Sequence, residues 1–366
     1  MPAARAPSTE AADAPRELTL VTQRALARAE LDDVRTLHLW TGKVRDLSPL
    51  RRAKQLSKIV LYQTSVTDLS PLVGLESLVD LQLYENPELA DLGPIAGLSA
   101  LEALEIEAPR AVRLLHGRLR AIGALRRLRR LSVWSAPRAP LEWLGSLSGL
   151  RDLVVRGCRV RATWLAGLDL RTLDLQRCGT TDLGELAGMR RLRALSLAAN
   201  GLTEVRALDA LAGLRFLSVS HNRLTDLRPL AGLPKLTRLD ADFNQIASLP
   251  RDLGAWARLE SLNLRHNRLT DVAPLAALRR LSTLRLDENR VGSGAPLRGL
   301  RRLAYLYLRE NRVRDLAPLA ALRALVVLEV AGNPAPVDGL FALPKLVRVD
   351  STFAKDAAAG AAGARP

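Results

Sequence analysis

A single spacing constrains this chain more than anything else in it. Aligned on the pattern LxxLxLxxN, the second aliphatic position falls at 37, 59, 81, 104, 131, 153, 173, 195, 217, 239, 262, 284, 306 and 328, isoleucine at 59 and leucine elsewhere. Nine of the thirteen steps are 22 residues, and the others are 23 twice, 27 after Leu104 and 20 after Leu153. A prior of roughly 150 residues per domain would cut the chain into globular pieces. So regular a period instead defines a stack of like units, none of which can bury its leucines alone.

One clean copy, LRFLSVSHNRLTDLRPLAGLPK (214–235), shows what each unit does. Its first part alternates with the period of a strand, so Leu217 and Val219 point to the core while Phe216, Ser218 and Ser220 point out. Asn222 closes the strand, where its amide is placed to bond backbone groups of its own and the neighbouring turn. Leu224, Leu227, Leu230 and Leu233 then recur every three residues, the spacing of a 3₁₀ or short helical limb. Pro229 stands where that limb begins, as do Pro49, Pro71, Pro94, Pro274 and Pro318 in other copies. Stacked units would place the strands side by side in a curved parallel sheet on a concave side, with the turns on a convex side.

The phrases VTDLSPLVGL (66–75), LTDLRPLAGL (224–233), LTDVAPLAAL (269–278) and VRDLAPLAAL (313–322) resemble the 22-residue leucine-rich repeats of internalins and of a phosphatase-1 regulatory subunit. The likeness spans about residues 34–349 and implies an α/β leucine-rich-repeat solenoid from a bacterial source. The class implies protein recognition without naming a partner.

The expected organisation is a disordered tail over 1–16, an amphipathic capping helix over 17–33, about fourteen repeats over 34–345, and a truncated cap with an Ala/Gly tail over 346–366. Two copies break the pattern. AVRLLHGRLRAIGAL, within the lengthened stretch 109–127, has helical spacing and predicts an α-helix on the convex side. The next, APRAPLEWLGSL, lacks the asparagine and is proline-rich.

Outward strand positions of successive repeats fall into columns, which converts sequence into surface. Trp40, Tyr62, Tyr84 and Trp134 share one column and form an aromatic ladder, with Glu105 and Glu107 beside it, although only 4% of the chain is aromatic. Further along, Arg238, Asp240, Asp242, Arg265, Arg285, Asp287, Tyr305, Tyr307 and Arg309 form a charged, tyrosine-bearing patch. Between them Ala194, Ser196, Ala198, Ser218 and Ser220 make a smooth saddle. Exposed Trp, Tyr and Arg dominate interface hot spots, which marks both clusters as candidate partner-binding residues. The competing explanation is structural: outward aromatics pack across strands, and Arg/Asp rows neutralise one another as surface ion pairs.

The chain carries a net charge of +16, with 54 basic residues of which six are lysine, at positions 43, 54, 58, 235, 345 and 355. Arginine enrichment alongside abundant alanine also fits a high-GC genome. On the three main outward strand columns there are seven bases and nine acids, so the excess positive charge must lie on edges and convex turns, as in LRRLRRL (125–131), MRRLR (189–193) and LRGLRRL (297–303). The favoured reading is therefore a non-enzymatic, monomeric scaffold that binds a partner protein on its concave face. The alternative is a nucleic-acid or anionic-surface binder using convex and edge arginines. Nucleic acid is the less expected partner.

The weaker signals favour bland readings. Cys158 and Cys178 occupy the asparagine position and substitute for it as ladder donors. His221 and His266, with Asp242 and Phe243 between, lack the three or four converging ligands of a metal site. His38 and His116 have no catalytic companion, and no phosphate loop or triad is present, so neither enzyme activity nor a cofactor is expected. No apolar run approaches the roughly 18 residues of a membrane span, and the first thirty residues lack a signal-peptide core. With only two cysteines, a cytoplasmic location is expected.

Overall fold

The computed structural model describes residues 16–107, 119–134, 141–335 and 343–350. The disordered tail expected over 1–16 lies outside these residues except for Arg16, which is in a strand, and so do residues 351–366 of the cap and tail expected over 346–366. The chain forms two compact units, one up to Arg151 and one from Asp152.

In the first unit the strands are β1 (Arg16–Leu20), β2 (Val34–Trp40), β3 (Lys58–Tyr62), β4 (Asp80–Tyr84), β5 (Ala103–Glu107) and β6 (Arg130–Trp134). In the second they are β7 (Asp152–Arg156), β8 (Thr172–Asp174), β9 (Ala194–Ser196), β10 (Phe216–Ser218), β11 (Arg238–Asp240), β12 (Ser261–Asn263), β13 (Thr283–Arg285), β14 (Tyr305–Tyr307), β15 (Val327–Glu329) and β16 (Arg348–Asp350). Within each unit every strand pairs parallel with the next in sequence. The register is set by the repeat: Leu217 lies opposite Leu195 and Leu239, and Leu284 opposite Leu262 and Leu306. The return limbs are 3₁₀ turns, with proline in the first turn at each position expected from sequence. The fold class read from the sequence is the one observed.

The leucines define the limb as well as the core. The Leu230 amide donates to the Leu227 carbonyl at 2.9 Å and Leu233 to Leu230 at 3.2 Å, so these three-residue steps between core leucines each close one hydrogen bond. Leu217, Leu224, Leu227, Leu230 and Leu233 are all completely buried.

The asparagine at the strand end ties neighbouring repeats together. The Asn222 Nδ2 donates to the carbonyls of Leu197 (3.0 Å), Val219 (2.9 Å) and Ser220 (3.1 Å), while its Oδ1 accepts from the amides of Asn200 (3.1 Å) and Leu202 (2.9 Å). Asn86, Asn200, Asn244, Asn267, Asn289 and Asn311 are buried in the same way. Aiming this side chain inward requires a corner just before it. Among the described residues, seven non-glycine residues that precede a ladder asparagine, His221, Phe243, His266 and Glu288 among them, hold φ between 51° and 57° at such corners, and Gln63 and Arg177 do the same ahead of Thr64 and Cys178. Their amides stay paired, as Phe243 N to Arg265 O at 2.9 Å shows, and this pairing offsets the cost of the left-handed conformation.

Two sequence expectations are corrected. The segment expected as a helix over 17–33 is the strand β1 followed by one short helix, α1 (Gln23–Arg28). The N-terminal edge of β2 needs a hydrogen-bonding partner, which β1 supplies with Leu18 opposite Leu37 and Leu20 opposite Leu39. In α1, Thr22 caps the start by accepting from Ala25 N at 3.1 Å, and Leu26 closes the core. The second correction concerns the α-helix expected within 109–127. Its described part, Leu119–Ala124, is a 3₁₀ turn, because Leu119, Ile122, Leu125 and Leu128 keep the three-residue step of the other limbs. Residues 108–118 lie outside the described set.

Candidate partner-binding face

In the first unit the strand pairing places Trp40 opposite Tyr62, Tyr62 opposite Tyr84, Tyr84 opposite Glu107 and Glu107 opposite Trp134. The predicted column therefore exists as one row of side chains on one face. Within it the aromatics differ. Trp40 is 47% exposed and meets Tyr62 with ring centroids 5.6 Å apart and planes tilted by 53°. Tyr84 and Trp134 stack at 6.0 Å with planes 12° apart, although Glu107 intervenes in the register.

Tyr84 is also tied down by its hydroxyl, which donates to Glu105 at 2.5 Å. Burial first, and that hydrogen bond second, raise the phenol's pKa above the ordinary value. Glu105 thus acts as a support for the row. Tyr84 and Trp134 follow the packing explanation in part, whereas Trp40 offers its indole to solvent with Tyr62 beneath it.

In the second unit the predicted patch divides the same way. Arg238 folds back on Asp240 at 2.9 Å and lies over the Phe216 ring at 5.4 Å. Arg265 reaches Glu288 at 2.5 Å, and Arg309 reaches Glu329 at 3.5 Å and Asp350 at 2.6 Å. Exposed pairs of this kind contribute about 0–1 kcal/mol each. Asp242 accepts from the Ser220 hydroxyl, and within the expected saddle of small residues Ala198, Ser218 and Ser220 are buried while Ala194 and Ser196 are half-buried. Asp287 is buried beneath the arginines. Its pKa is raised by desolvation, against the opposing effect of the Arg309 amide, which donates to it at 3.0 Å.

Arg285 differs from its neighbours. Among the described residues it has no carboxylate partner and lies over the Tyr307 ring at 4.8 Å, within a hollow of about 360 Å³ also lined by Arg265, Glu288 and Arg309. Tyr305, on the same strand, is 41% exposed.

Sequence reasoning groups His221, Phe243 and His266 only as a metal set to be dismissed, and misses that they stack. His221, Phe243 and His266 occupy consecutive left-handed corners, and their rings stack at 4.3 Å and 4.6 Å. Arg265 lies over Phe243 at 5.4 Å, and Glu288 extends the row. The signal was available: each of these residues immediately precedes a ladder asparagine, a position outside the alternating strand pattern from which the columns were read.

Of the two cysteines, Cys178 takes over the asparagine's donor role between repeats, and Cys158 bonds within its own repeat. The Cys178 thiol donates to the Val155 carbonyl at 2.9 Å and Cys158 to Arg156 at 3.4 Å. Burial pushes the Cys178 pKa up to about 12 from 9.0. Between those values the unfolded chain ionises and the folded one does not, so this group's contribution to stability declines as pH rises through that window. A thiol-reactive dye near pH 9 is expected to leave Cys178 unlabelled in the folded protein and to label it fully after denaturation. Rapid native labelling would contradict the assignment.

Leucine-rich-repeat models match residues 212–253 (two copies) and 258–277. No curated protein matches the sequence. Among solved structures, an internalin (InlF) from Listeria monocytogenes superposes with a TM-score of 0.66 at 21% identity, covering 90% of this chain and 92% of that one. A Leptospira interrogans leucine-rich-repeat protein gives 0.71 at 21% identity, covering 90% and 94%. A plant peptide hormone receptor, RGFR1 in complex with RGF2, gives 0.60 at 19% identity, covering 87% of this chain and 61% of that one. The fold is that of the leucine-rich-repeat proteins, with an internalin-like 22-residue unit.

Proposed function

We propose that this protein is a non-enzymatic scaffold that binds a partner protein on its open strand face, the side that sequence reading assigns as concave. The observation that carries this reading is the aromatic row of the first unit. Trp40 stands half out of the surface on Tyr62, the one tryptophan among the large apolar side chains that are exposed in the described residues. Such a residue adds little to folding and much to an interface, where truncating a buried aromatic anchor costs about 2 kcal/mol or more. The second unit adds Arg285, Tyr307 and Tyr305 as candidate contacts. Around them Arg238 pairs with Asp240, Arg265 with Glu288 and Arg309 with Glu329 and Asp350, while Asp242 accepts from Ser220 and Asp287 from the Arg309 amide. The same fold in a peptide receptor bound to RGF2 supports recognition of a polypeptide. In this reading the protein is a bacterial, cytoplasmic monomer. No helix among the described residues is long and apolar enough to cross a membrane.

Replacing Trp40, Tyr62 and Tyr84 together with alanine is expected to abolish capture of the partner that the wild type retains in a pull-down from the source organism. A double variant, Trp40→Ala with Tyr62→Ala, leaves the Tyr84–Glu105 support intact and is expected to lose capture as well, with a melting temperature close to wild type. Undiminished capture by the double variant, or a large drop in its melting temperature, would return the row to a packing role.

A further inference from the structure

The excess positive charge has a definite location. In the second unit the segments that lead from each return limb into the next strand are LDLR (168–171), MRRLR (189–193), LAGLR (211–215), LPKLT (233–237), WARLE (256–260), LRRLS (278–282), LRRLA (300–304), LRALV (322–326) and LPKLV (343–347). They contain thirteen bases and two acids, Asp169 and Glu260. Because β8 to β16 are parallel, all nine segments lie at the same end of the strands. At about 4.8 Å per strand they form a row about 40 Å long. Every one of the thirteen bases is exposed, and only Arg191 has an ion pair among the described residues, to Asp169.

A genome-wide preference for arginine does not produce this arrangement. It would enrich the limbs that leave the other end of the strands to the same density, yet their eleven bases are spread over 87 residues where the rim's thirteen occupy 44. Those limbs (159–168, 179–188, 201–211, 223–233, 245–256, 268–278, 290–300 and 312–322) carry eleven bases against eight acids, so they are nearly neutral. The charge is segregated to one rim. Holding so many cations without counterions on one edge raises the electrostatic energy of the folded unit, and an anionic partner would relieve it.

We propose that this rim binds the phosphate backbone of duplex nucleic acid without regard to sequence. Three features favour that partner. Eleven of the thirteen bases are arginine, whose planar fork matches phosphate oxygens. Near the centre of the row, Arg215, Lys235, Arg258 and Arg280, with Thr237 and Glu260, surround a hollow of about 260 Å³, large enough for a phosphate group. The nine segments contain no Phe or Tyr and a single Trp, the fully buried Trp256, so they offer no platform for stacking unpaired bases. A membrane surface fits less well. Val347, in the last segment, is the only large apolar side chain standing exposed along the rim, too little to insert among lipids. This rim is separate from the strand face, where acids slightly outnumber bases, and the inference stands independently of the scaffold reading.

Fluorescence anisotropy with the full chain and a labelled duplex of about 20 base pairs and arbitrary sequence tests it. With about five phosphates engaged, affinity is expected to fall about 500-fold between about 50 and 200 mM salt. Reversing one base in each of four repeats (Lys235→Glu, Arg258→Glu, Arg280→Glu and Arg302→Glu) is expected to weaken binding by about a hundredfold or more at low salt. The control reverses the same number of charges at the opposite end of the strands (Arg223→Glu, Arg268→Glu, Arg290→Glu and Arg312→Glu) and is expected to change affinity by less than about tenfold. Glutamine replacements at the four rim positions substitute if the reversed variant fails to fold. No binding at low salt, equal weakening by the rim and control variants, or binding to phosphatidylserine-containing vesicles at least as tight as to the duplex would each overturn the proposal.

Discussion

Replacing Asn222 with alanine is expected to destabilise the second unit by about 3–5 kcal/mol, read as a lowered urea midpoint by far-ultraviolet circular dichroism. The side chain makes five hydrogen bonds, three donated and two accepted, to backbone groups in the repeats at 197–202 and 219–220. Water cannot replace them, because the residue is buried. Each group left unpaired costs about 1–3 kcal/mol, and local relaxation recovers part of the total. Asn222→Cys provides the internal control. Cys178 at the equivalent position keeps the donor function, giving its proton to the Val155 carbonyl, but not the acceptor function. The cysteine variant is therefore expected to fall between wild type and alanine. If alanine and cysteine are equally damaging, the donor bonds are not what holds the repeats together.

Trp256→Ala is expected to cost about 4–6 kcal/mol. Trp256 is completely buried in the 3₁₀ limb at the position where other repeats carry leucine, such as Leu233 and Leu278. Removing a buried tryptophan costs about 3–5 kcal/mol through lost transfer energy and the cavity left behind. The indole also donates to the Leu230 carbonyl at 2.8 Å, a bond worth about 1 kcal/mol more. Trp256→Leu restores the residue type of the other repeats but not its volume, so about half the loss is expected to return. Full recovery with leucine would mean that the repeat collapses onto the smaller side chain and that no cavity persists.

The fold was legible because the repeat states it many times over. Leucine every three residues, asparagine at the strand end and proline at the limb start each have one structural solution, and stacking requires that solution of every copy. The N-terminal cap was misread because 17–33 has a helix-compatible pattern taken alone, whereas the open edge of β2 selects a strand. The limb at Leu119–Ala124 was misread for a related reason: stacking on its neighbours imposes their step, whatever the local spacing suggests. The site was only half legible. Columns placed Trp40, Tyr62 and Tyr84 in one row correctly, but spacing carries no information on which arginines neutralise themselves. Arg265 and Arg309 find carboxylates on neighbouring repeats and Arg285 does not, a difference that rotamers and packing decide. His221, Phe243 and His266 were grouped in the sequence but not read as a stack, because corner residues follow neither the strand period nor the leucine step.

Those corners have a consequence for how such a protein changes over time. The backbone at each one is fixed by the amide it pairs and by the inward residue that follows, asparagine in most repeats and threonine or cysteine in two, so the corner side chain itself is not what sets the frame. Glutamine, glutamate, arginine, alanine, histidine and phenylalanine all occupy the position in this chain. Each corner is in effect a socket of constant geometry, and exchanging what it holds alters the chemistry presented at the strand ends while the scaffold beneath stays the same.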